Sequence, residues 1–252
     1  MLKSKSMLSK TKVKYIQSLG HKKRRDEEQV FIAEGPKIVG ELLAEPRVRA
    51  LEIFALQEWF QQNTVSSNVH QQIVTQEELE KITQLSTANK VLAIFQQHKS
   101  IENIDPNNNW VLLLDGIQDP GNMGTIIRIA DWFGIKQIIC SHECASIYNS
   151  KVIQSSMASI ARVDVLVTDL LTWVNEHPAC NYYATTLEGE DLTAMNKLKE
   201  GVVMIGNESK GLDPELLAKA NVRITIPRLG QAESLNAAVA TGIILSHIIE
   251  KS

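Results

Sequence analysis

The sequence predicts an α/β protein. Its C-terminal part is expected to form a mostly parallel sheet with helices on both faces, preceded by a small α/β domain. From residue 110 onward, short Val- and Ile-rich runs alternate with stretches of helical periodicity. Strands that are apolar on both faces and alternate with helices are typical of a parallel sheet covered on both sides. A polar segment at residues 99–109, KSIENIDPNNN, separates the two parts. We therefore predict a first domain at 1–99, a linker at 100–109 and a second domain at 110–252.

The first domain mixes amphipathic stretches with short apolar runs. Helical spacing covers residues 13–19, and Gly35 followed by Pro36 begins a second helix. Thr75 and Glu78 form a capping-box pattern, which predicts a helix through Ile82. After an apolar run at 30–33, strands are predicted at 51–56, 72–74 and 91–95.

The second domain shows the strand and helix alternation most clearly. Strands are predicted at 110–114, 137–140, 163–167, 182–186, 202–205 and 222–226, with a final helix over 235–249. Ser234 precedes that helix and is predicted to cap it.

Composition excludes several classes of protein. Hydrophobic residues make up 44% of the 252 residues, enough for a substantial core. No run approaches the ~18 apolar residues of a membrane span, and no apolar stretch with a cleavage site follows the basic N-terminus, so no secretory signal is expected. Three cysteines are too few and odd in number for a disulfide framework. We expect a reducing, cytoplasmic environment and no membrane.

Positive charge is concentrated at the start of the chain. Residues 1–25 contain nine Lys and Arg and no Asp or Glu, and the remainder carries 17 basic and 29 acidic side chains. This asymmetry predicts a basic arm that contacts a polyanion, although a solvated, partly disordered tail fits the charge pattern equally well.

The segment 115–134, DGIQDPGNMGTIIRIADWFG, carries the strongest functional signal. An apolar strand runs into a Gly/Pro/Asn turn and then a helix, which places a helix N-terminus at the edge of the sheet. Arg128 is expected one turn inside this helix, on the same face as Gly124. Arginine is well suited to gripping phosphate, so a phosphate-bearing partner is expected.

Two further polar, glycine-containing segments follow predicted strands. The first, VVMIGNESKGL at 202–212, contains Gly206, Glu208 and Gly211; the second, ITIPRLGQAESLNAAVATGII at 224–244, precedes and enters the last helix. Each alone is compatible with an ordinary turn or a capped helix. In a parallel sheet, however, the loops after successive strands meet at one edge.

Several familiar signals are missing or weak. The sequence has no G-x-G-x-x-G after a strand, no P-loop and no G-x-S-x-G elbow, so dinucleotide binding, nucleotide hydrolysis and hydrolase chemistry are not indicated. Cys140, His142 and Cys144, with Cys180, suggest zinc, but the spacing is tight and no second ligand pair follows. We expect no metal.

Together the three segments resemble the three motifs of the SpoU (TrmH-type) RNA ribose 2′-O-methyltransferases of the SPOUT superfamily. The matching residues are Asn122, Gly124 and Arg128 for the first motif, Gly206, Glu208 and Gly211 for the second, and Ile226, Pro227, Gly230, Ser234, Leu235 and Asn236 for the third. FIAEGP at 31–36 resembles the opening of the family's substrate-binding domain, so the likeness covers nearly the whole chain. One departure is Ala158, where relatives often carry glycine; we expect it to affect local packing and not activity.

The resemblance implies a deep trefoil knot, a homodimer and S-adenosylmethionine as cofactor. By resemblance, the cofactor is held largely through backbone groups of three segments, with contacts at Thr185, Thr186, Leu187, Gly206, Asn207, Ile226, Pro227, Gly230, Ser234 and Leu235. It implies transfer of a methyl group to a ribose 2′-hydroxyl of RNA.

By resemblance, the catalytic residues are Arg128, Asn122, Glu208, Ser234 and Asn236. Arg128 would serve either as the base that accepts the hydroxyl proton or as a clamp on the neighbouring phosphate; an arginine pKa of ~12 or higher makes it a poor base. Ribosomal RNA is the preferred substrate and tRNA remains an alternative. A non-catalytic RNA-binding or ribosome-assembly factor and a small-molecule methyltransferase are the competing functions.

Overall fold

The computed structural model describes residues 7–98 and 101–250. The chain divides into two compact units. The first comprises Met1–Lys99 with Tyr148–Ala161, and the second comprises Ser100–Ile147 with Arg162–Ser252.

The secondary structure alternates between strands and helices through most of the chain. The strands are β1 (Val30–Glu34), β2 (Ala50–Ala55), β3 (His70–Ile73), β4 (Val91–Gln96), β5 (Trp110–Leu114), β6 (Gln137–Cys140), β7 (Asp164–Val167), β8 (Tyr182–Asp191), β9 (Gly201–Ile205) and β10 (Val222–Thr225). The helices are α1 (Lys10–Ser18), α2 (Lys22–Glu28), α3 (Pro36–Ala44), α4 (Gln57–Gln62), α5 (Gln76–Ile82), α6 (Pro120–Trp132), α7 (Ser150–Ser156), α8 (Leu170–Glu176), α9 (Pro214–Leu217) and α10 (Ala237–Ile248). Short 3-10 helices occupy Ser159–Ala161 and Leu192–Ala194.

The first unit is built on a four-stranded sheet of order β1-β4-β2-β3. Its β2–β3 pair is parallel, and the β1–β4 and β2–β4 pairs are antiparallel. The predicted capping box is present: Thr75 accepts a hydrogen bond from the Glu78 amide while the Glu78 side chain accepts one from the Thr75 amide. Leu79 and Ile82 of α5 are buried in a core with residues of α1 and β1.

The basic arm is helical over its described part and not an extended tail. Ser9 caps α1, and Ile16 and Leu19 are fully buried. Arg25 is also buried, and its Nη1 donates to the carbonyl oxygens of Leu19 at 3.0 Å and Gly20 at 2.8 Å. A buried guanidinium needs such acceptors, so Arg25 stabilises the end of α1 and is withdrawn from any partner.

A segment from the middle of the chain, 148–161, belongs to the first unit. Gln154 of α7 donates to the Glu34 carbonyl oxygen at 2.8 Å, and the Tyr148 ring stacks on Phe31 at 5.1 Å between centroids. Ala158 has a φ of 67°, a backbone conformation that glycine adopts without steric cost. The positive φ shows that glycine would suit this position better than alanine.

The second unit contains a six-stranded sheet of order β10-β8-β9-β5-β6-β7 in which every neighbouring pair is parallel. Helices α6 and α10 pack against each other, and α8 packs against α9. The predicted α/β class with a mostly parallel sheet is confirmed. The predicted trefoil knot stays a prediction.

Strand positions in the second domain agree with prediction to within one residue, except that β8 continues to Asp191 whereas the sequence predicts 182–186. The start of the last helix also differs. Helix α10 begins at Ala237, and its cap is Asn236, whose side chain accepts from the amides of Ala238 and Val239. The predicted Ser234 cap is wrong because the chain enters helical geometry two residues later. The predicted linker is irregular over 101–106, yet Ile104 lies in the core of the second unit.

Candidate active site

Four adjacent strands end at one edge of the second sheet and carry the three motif segments. In the order β10-β8-β9-β5 these strands are parallel, so their C-terminal ends lie side by side. The loops after β10, β9 and β5 begin at Ile226, Gly206 and Asp115, whereas β8 shifts its register with β10 between Ala184 and Glu190 and continues to Asp191. Distant stretches of sequence are therefore collected at the edge where parallel α/β sheets bind ligands.

The first motif forms the start of α6. Asp119 caps this helix by accepting a hydrogen bond from the Asn122 amide at 2.8 Å. Arg128 lies two turns from the helix start, one turn further than predicted, because the helix already begins at Pro120. Its side chain is exposed and makes no hydrogen bond or ion pair within residues 7–98 and 101–250.

A chain of hydrogen bonds joins the three motifs. The Asn122 side-chain amide donates to Glu208 Oε1, and the Asn236 side-chain amide donates to Asn122 Oδ1 at 2.8 Å. These bonds connect residues 86 and 114 positions apart in sequence. Three of the five predicted catalytic residues are thus in direct contact.

The second motif forms a closed loop after β9. Backbone bonds run in both directions between Asn207 and Gly211, at 3.0 and 2.9 Å, and the Asn207 side chain donates to the Gly116 carbonyl oxygen at 2.7 Å. A Cβ atom on Gly206 would lie 2.3 Å from the Gly211 carbonyl carbon. Only glycine fits at this position, because the opposing atoms are backbone and cannot move aside.

The third motif and the middle of β8 form an open part of the site. Thr185 donates to the Met204 carbonyl oxygen at 2.9 Å, while Thr225 donates to the Leu187 carbonyl oxygen at 3.1 Å. Thr186 donates to the Glu188 carbonyl oxygen at 2.6 Å within the part of β8 where the register with β10 shifts. The loop after β10 is exposed over 227–236.

These features fit S-adenosylmethionine. Leu187 is 74% exposed, Leu229 fully exposed and Leu235 46% exposed, so apolar surface is available for an adenine ring. The backbone amides of residues 228–235 donate to no acceptor in the described part of the chain. Free amides beside exposed apolar side chains suit an adenosine group that is held mainly by backbone contacts.

Not every predicted residue is drawn into these contacts. Pro227 and Gly230 are exposed, Ile226 is partly exposed, and Ser234 makes no hydrogen bond within the described residues. All of them nevertheless lie in the loop after β10.

Sequence reasoning missed two carboxylates that hold the loops in place. Asp119 caps α6, and Asp115 accepts a hydrogen bond from the Asp213 amide at 2.8 Å. Burial raises the pKa of Asp115, and the neighbouring carboxylates of Asp213 and Glu143 raise it further. The Asp119-Pro120 pair was a usable cap signal, whereas nothing local indicated the contact of Asp115 with Asp213.

The cysteines near this edge are packed against backbone groups. Cys144 Sγ accepts from the Ile117 amide at 3.2 Å and contacts the Leu114 carbonyl oxygen at 3.4 Å. A hydrogen bond from the Cys140 thiol lowers the pKa of Cys144 to about 7. Within the described residues, no three His, Cys, Asp or Glu side chains are placed to hold a metal ion.

The sequence profile of the SpoU rRNA Methylase family matches residues 109–246, which contain all three motifs. The chain belongs to this family. The profile of the MRM3-like substrate binding domain matches residues 10–93.

Proteins similar to this SpoU-family chain span nearly its full length. The 23S rRNA (guanosine(2553)-2′-O)-methyltransferase RlmP of Bacillus subtilis (strain 168) is 30% identical over 240 residues, covering 94% of this chain and 95% of its own. The AdoMet-bound rRNA methyltransferase of Sinorhizobium meliloti is 32% identical with a TM-score of 0.86, covering 98% of this chain and 97% of its own. The SpoU methyltransferase AviRb of Streptomyces viridochromogenes, also solved with AdoMet, is 21% identical with a TM-score of 0.81 over 95% of this chain and 97% of its own, which shows the shared fold.

The predicted family, enzyme class and cofactor are confirmed: this SpoU-family chain is an S-adenosylmethionine-dependent RNA methyltransferase. The competing functions of a non-catalytic factor and a small-molecule enzyme are set aside. Among the described helices, none is long and apolar enough to cross a membrane.

Proposed function

We propose that this enzyme methylates a ribose 2′-hydroxyl of ribosomal RNA. The observation that carries the proposal is the hydrogen-bonded chain of Asn122, Glu208 and Asn236 at the sheet edge. Asn122 lies on α6, the helix that also presents the unpaired Arg128. The likeness to RlmP over nearly the full length of both chains supports ribosomal RNA as the substrate. Transfer RNA is the second candidate, and it is an outcome of the experiment below.

In the proposed mechanism, S-adenosylmethionine supplies an electrophilic methyl group, and residues of the chain hold the ribose in line with it. Positioning of two reactants in one site can supply much of the acceleration. Leu187, Leu229 and Leu235 would cover the adenine, and the free amides of the loop after β10 would bind its polar edge. The Gly206–Glu208 turn would border the reacting groups.

Arg128 is proposed as a clamp on the RNA phosphate next to the reacting hydroxyl. Arginine is a poor proton acceptor in proteins, which favours a clamp over a base. As the 2′-oxygen forms its bond to the methyl group and the sulfur–methyl bond breaks, the hydroxyl proton passes to solvent water. A fixed positive charge beside the 2′-oxygen stabilises the negative charge that develops on that oxygen. Because the described chain offers Arg128 no anionic partner, its charge is available to RNA.

The remaining catalytic assignments follow from the contacts of each residue. Asn122 and Asn236 would orient the ribose and each other, and Glu208 would fix the Asn122 amide through its hydrogen bond. Ser234, which has a free hydroxyl, would bind substrate or cofactor directly.

The test compares Arg128→Ala with Lys136→Ala, which removes an exposed cation from the same unit outside the site. Methyl transfer from radiolabelled S-adenosylmethionine should fall by at least ~100-fold in Arg128→Ala, with cofactor affinity unchanged by calorimetry, and should be retained in Lys136→Ala. Wild-type turnover in Arg128→Ala would refute the assignment. Mass spectrometry of ribosomal and transfer RNA from cells with and without the gene identifies the methylated ribose; its loss from tRNA alone would reject ribosomal RNA.

The arm is proposed to contribute RNA contacts through its exposed lysines. Lys12 forms an ion pair with Glu52, and Arg24 forms ion pairs with Glu27 and Glu28. These two cations are therefore less available for RNA phosphates. Deleting residues 1–25 would remove the buried Ile16 and Leu19 and would confound binding with unfolding. Replacing the exposed lysines by glutamine is the cleaner change; the set is Lys10, Lys14, Lys22 and Lys23.

The lysine-to-glutamine variant should bind RNA more weakly and with a flatter dependence on salt, because each lost phosphate contact removes released counterions. Lys12→Gln is the control and should change the slope less. An unaltered salt slope in the fourfold variant would exclude the arm from RNA binding.

A homodimer is proposed, formed through exposed apolar residues of α6 and α10. Trp132 is 84%, Val239 52% and Ile243 38% exposed, and the two helices that carry them pack together. Trp132→Glu should shift the mass measured by light scattering towards the monomer, whereas Val167→Glu, at an exposed apolar position on β7, should not. A monomeric wild-type protein would reject the proposal.

A cytoplasmic location is proposed from the three free cysteines, a state that a reducing compartment maintains. Recovery of the protein in a membrane or extracellular fraction on cell fractionation would reject it.

A further inference from the structure

An ion pair at the far end of α6 involves the carboxylate closest to Arg128 along that helix. Arg162 lies just before β7, and its Nε donates to Asp131 Oδ1 at 3.2 Å and Oδ2 at 3.0 Å. Its Nη2 donates to Oδ2 at 2.7 Å. This two-pronged geometry is the strongest form of an arginine–carboxylate contact.

Asp131 is also a natural partner for Arg128. It is the only acidic residue of α6 and follows Arg128 by three positions. Residues three apart on a helix are neighbours, with Cβ atoms about 5–6 Å apart, and oppositely charged pairs at this spacing attract. Helical side chains lean towards the N-terminus, so Asp131 leans towards the turn that carries Arg128.

The two possible partners of Asp131 have opposite consequences for the site. If Asp131 held Arg128, the guanidinium would be drawn towards the C-terminal end of α6, away from Asn122 at its start. In the structure Arg162 binds Asp131, and Arg128 has no partner in the described chain.

We propose that Arg162 is a positioning residue, which engages Asp131 so that Arg128 remains free for the RNA phosphate. This inference rests on the proposed role of Arg128. A purely structural role, in which the ion pair only ties β7 to α6, is the alternative that the experiment must separate.

Three variants make the separation, because each breaks the same ion pair. Arg162→Ala removes the guanidinium that binds Asp131 and leaves the carboxylate charged, so it can attract Arg128. Asp131→Asn and the double variant, which combines Arg162→Ala with Asp131→Asn, break the ion pair and also remove the negative charge at position 131. Loss of the structural tie is therefore common to all three, and only Arg162→Ala contains the competing carboxylate.

At saturating RNA and cofactor, kcat of Arg162→Ala should fall two- to fivefold, a change of about 0.4–1 kcal/mol, within the range of exposed ion pairs. Asp131→Asn should keep the wild-type kcat, and the double variant should recover it. The deficit of Arg162→Ala should also shrink as salt is raised, since the new pair is screened. Unfolding temperatures, measured in parallel, should be lowered similarly in the three variants.

Equal losses in all three variants, or no recovery in the double variant, would overturn the positioning role. That result is distinct from failure of the proposed function, which Arg128→Ala tests alone. An active Arg128→Ala removes the basis of both, whereas an inactive Arg128→Ala with an unimpaired Arg162→Ala rejects only the role of Arg162.

Discussion

Asn236 serves both the last helix and the active site, so replacing it by alanine should cost stability and activity together. The side chain accepts from two amides of α10, Ala238 at 3.0 Å and Val239 at 3.2 Å. Loss of an asparagine cap costs about 0.5–2 kcal/mol, and the exposure of Asn236 favours the lower half because water replaces part of the bonding. For a protein of this size, ~1 kcal/mol lowers the midpoint of thermal unfolding by about 2–4 °C.

The same substitution removes the 2.8 Å bond from the Asn236 amide to Asn122. A neutral hydrogen bond contributes about 0.5–1.5 kcal/mol, so kcat for methyl transfer should fall about two- to tenfold. Asn236→Ser is the matched variant: a serine caps the helix but has no amide to donate to Asn122. Circular dichroism should show near-wild-type unfolding for it, while the methyl-transfer assay should show the activity loss. A fully active serine variant would refute the role of the Asn236 amide in activity, and an alanine variant with unchanged unfolding would refute its role as a cap.

Other features of the chain give three shorter predictions. Gly206→Ala should weaken cofactor binding by calorimetry and lower the free energy of unfolding by about 1–3 kcal/mol, because its Cβ meets fixed backbone. Gly40→Ala, in α3 of the first unit, has open space for a Cβ and should be tolerated; equal behaviour would contradict the clash. The pKa of Cys144 is lowered to about 7, so its alkylation rate, measured by mass spectrometry, should reach half its maximum near pH 7. Burial raises the pKa of Cys180, so its alkylation should need a pH above ~8.5, the usual thiol value. The same pH dependence for both cysteines would be evidence against the difference. Arg25→Met should lower the free energy of unfolding by about 2–4 kcal/mol in urea titrations, since one buried and one partly buried charge-assisted hydrogen bond are lost. A change under ~0.5 kcal/mol would show the arginine to be dispensable.

Local signals were sufficient for most elements of the fold. The Thr75 capping box is a contact between residues three apart, and it forms as its spacing predicts. Strands β5 and β6 coincide with their apolar runs at 110–114 and 137–140. In these cases the pattern in sequence and the contact in space involve the same few residues.

Contacts between segments that are distant in sequence could not be predicted from local patterns. Ser234 and Asn236 are both good capping residues, and the choice of Asn236 depends on how the loop after β10 approaches Asn122. Likewise, no periodicity in 148–161 indicates that Gln154 binds Glu34, 120 positions away. The charge pattern of residues 1–25 predicts a basic arm, but the burial of Arg25 within it depends on tertiary packing and could not be predicted from charge.

Most polar side chains of the site are already paired with one another before RNA binds, whereas Arg128 is not. The polar side chains of Asn122, Glu208 and Asn236 satisfy one another, so their geometry exists before RNA arrives and little reorganisation is needed when negative charge develops. An unpaired cation such as Arg128 is harder to maintain, because a neighbouring carboxylate would ordinarily pair with it. On α6 that carboxylate is occupied by Arg162, which leaves Arg128 as a charge whose counterion is supplied by the substrate. RNA binding would then complete the electrostatics of the site, and a substrate lacking the phosphate at that position should lose turnover more than cofactor affinity.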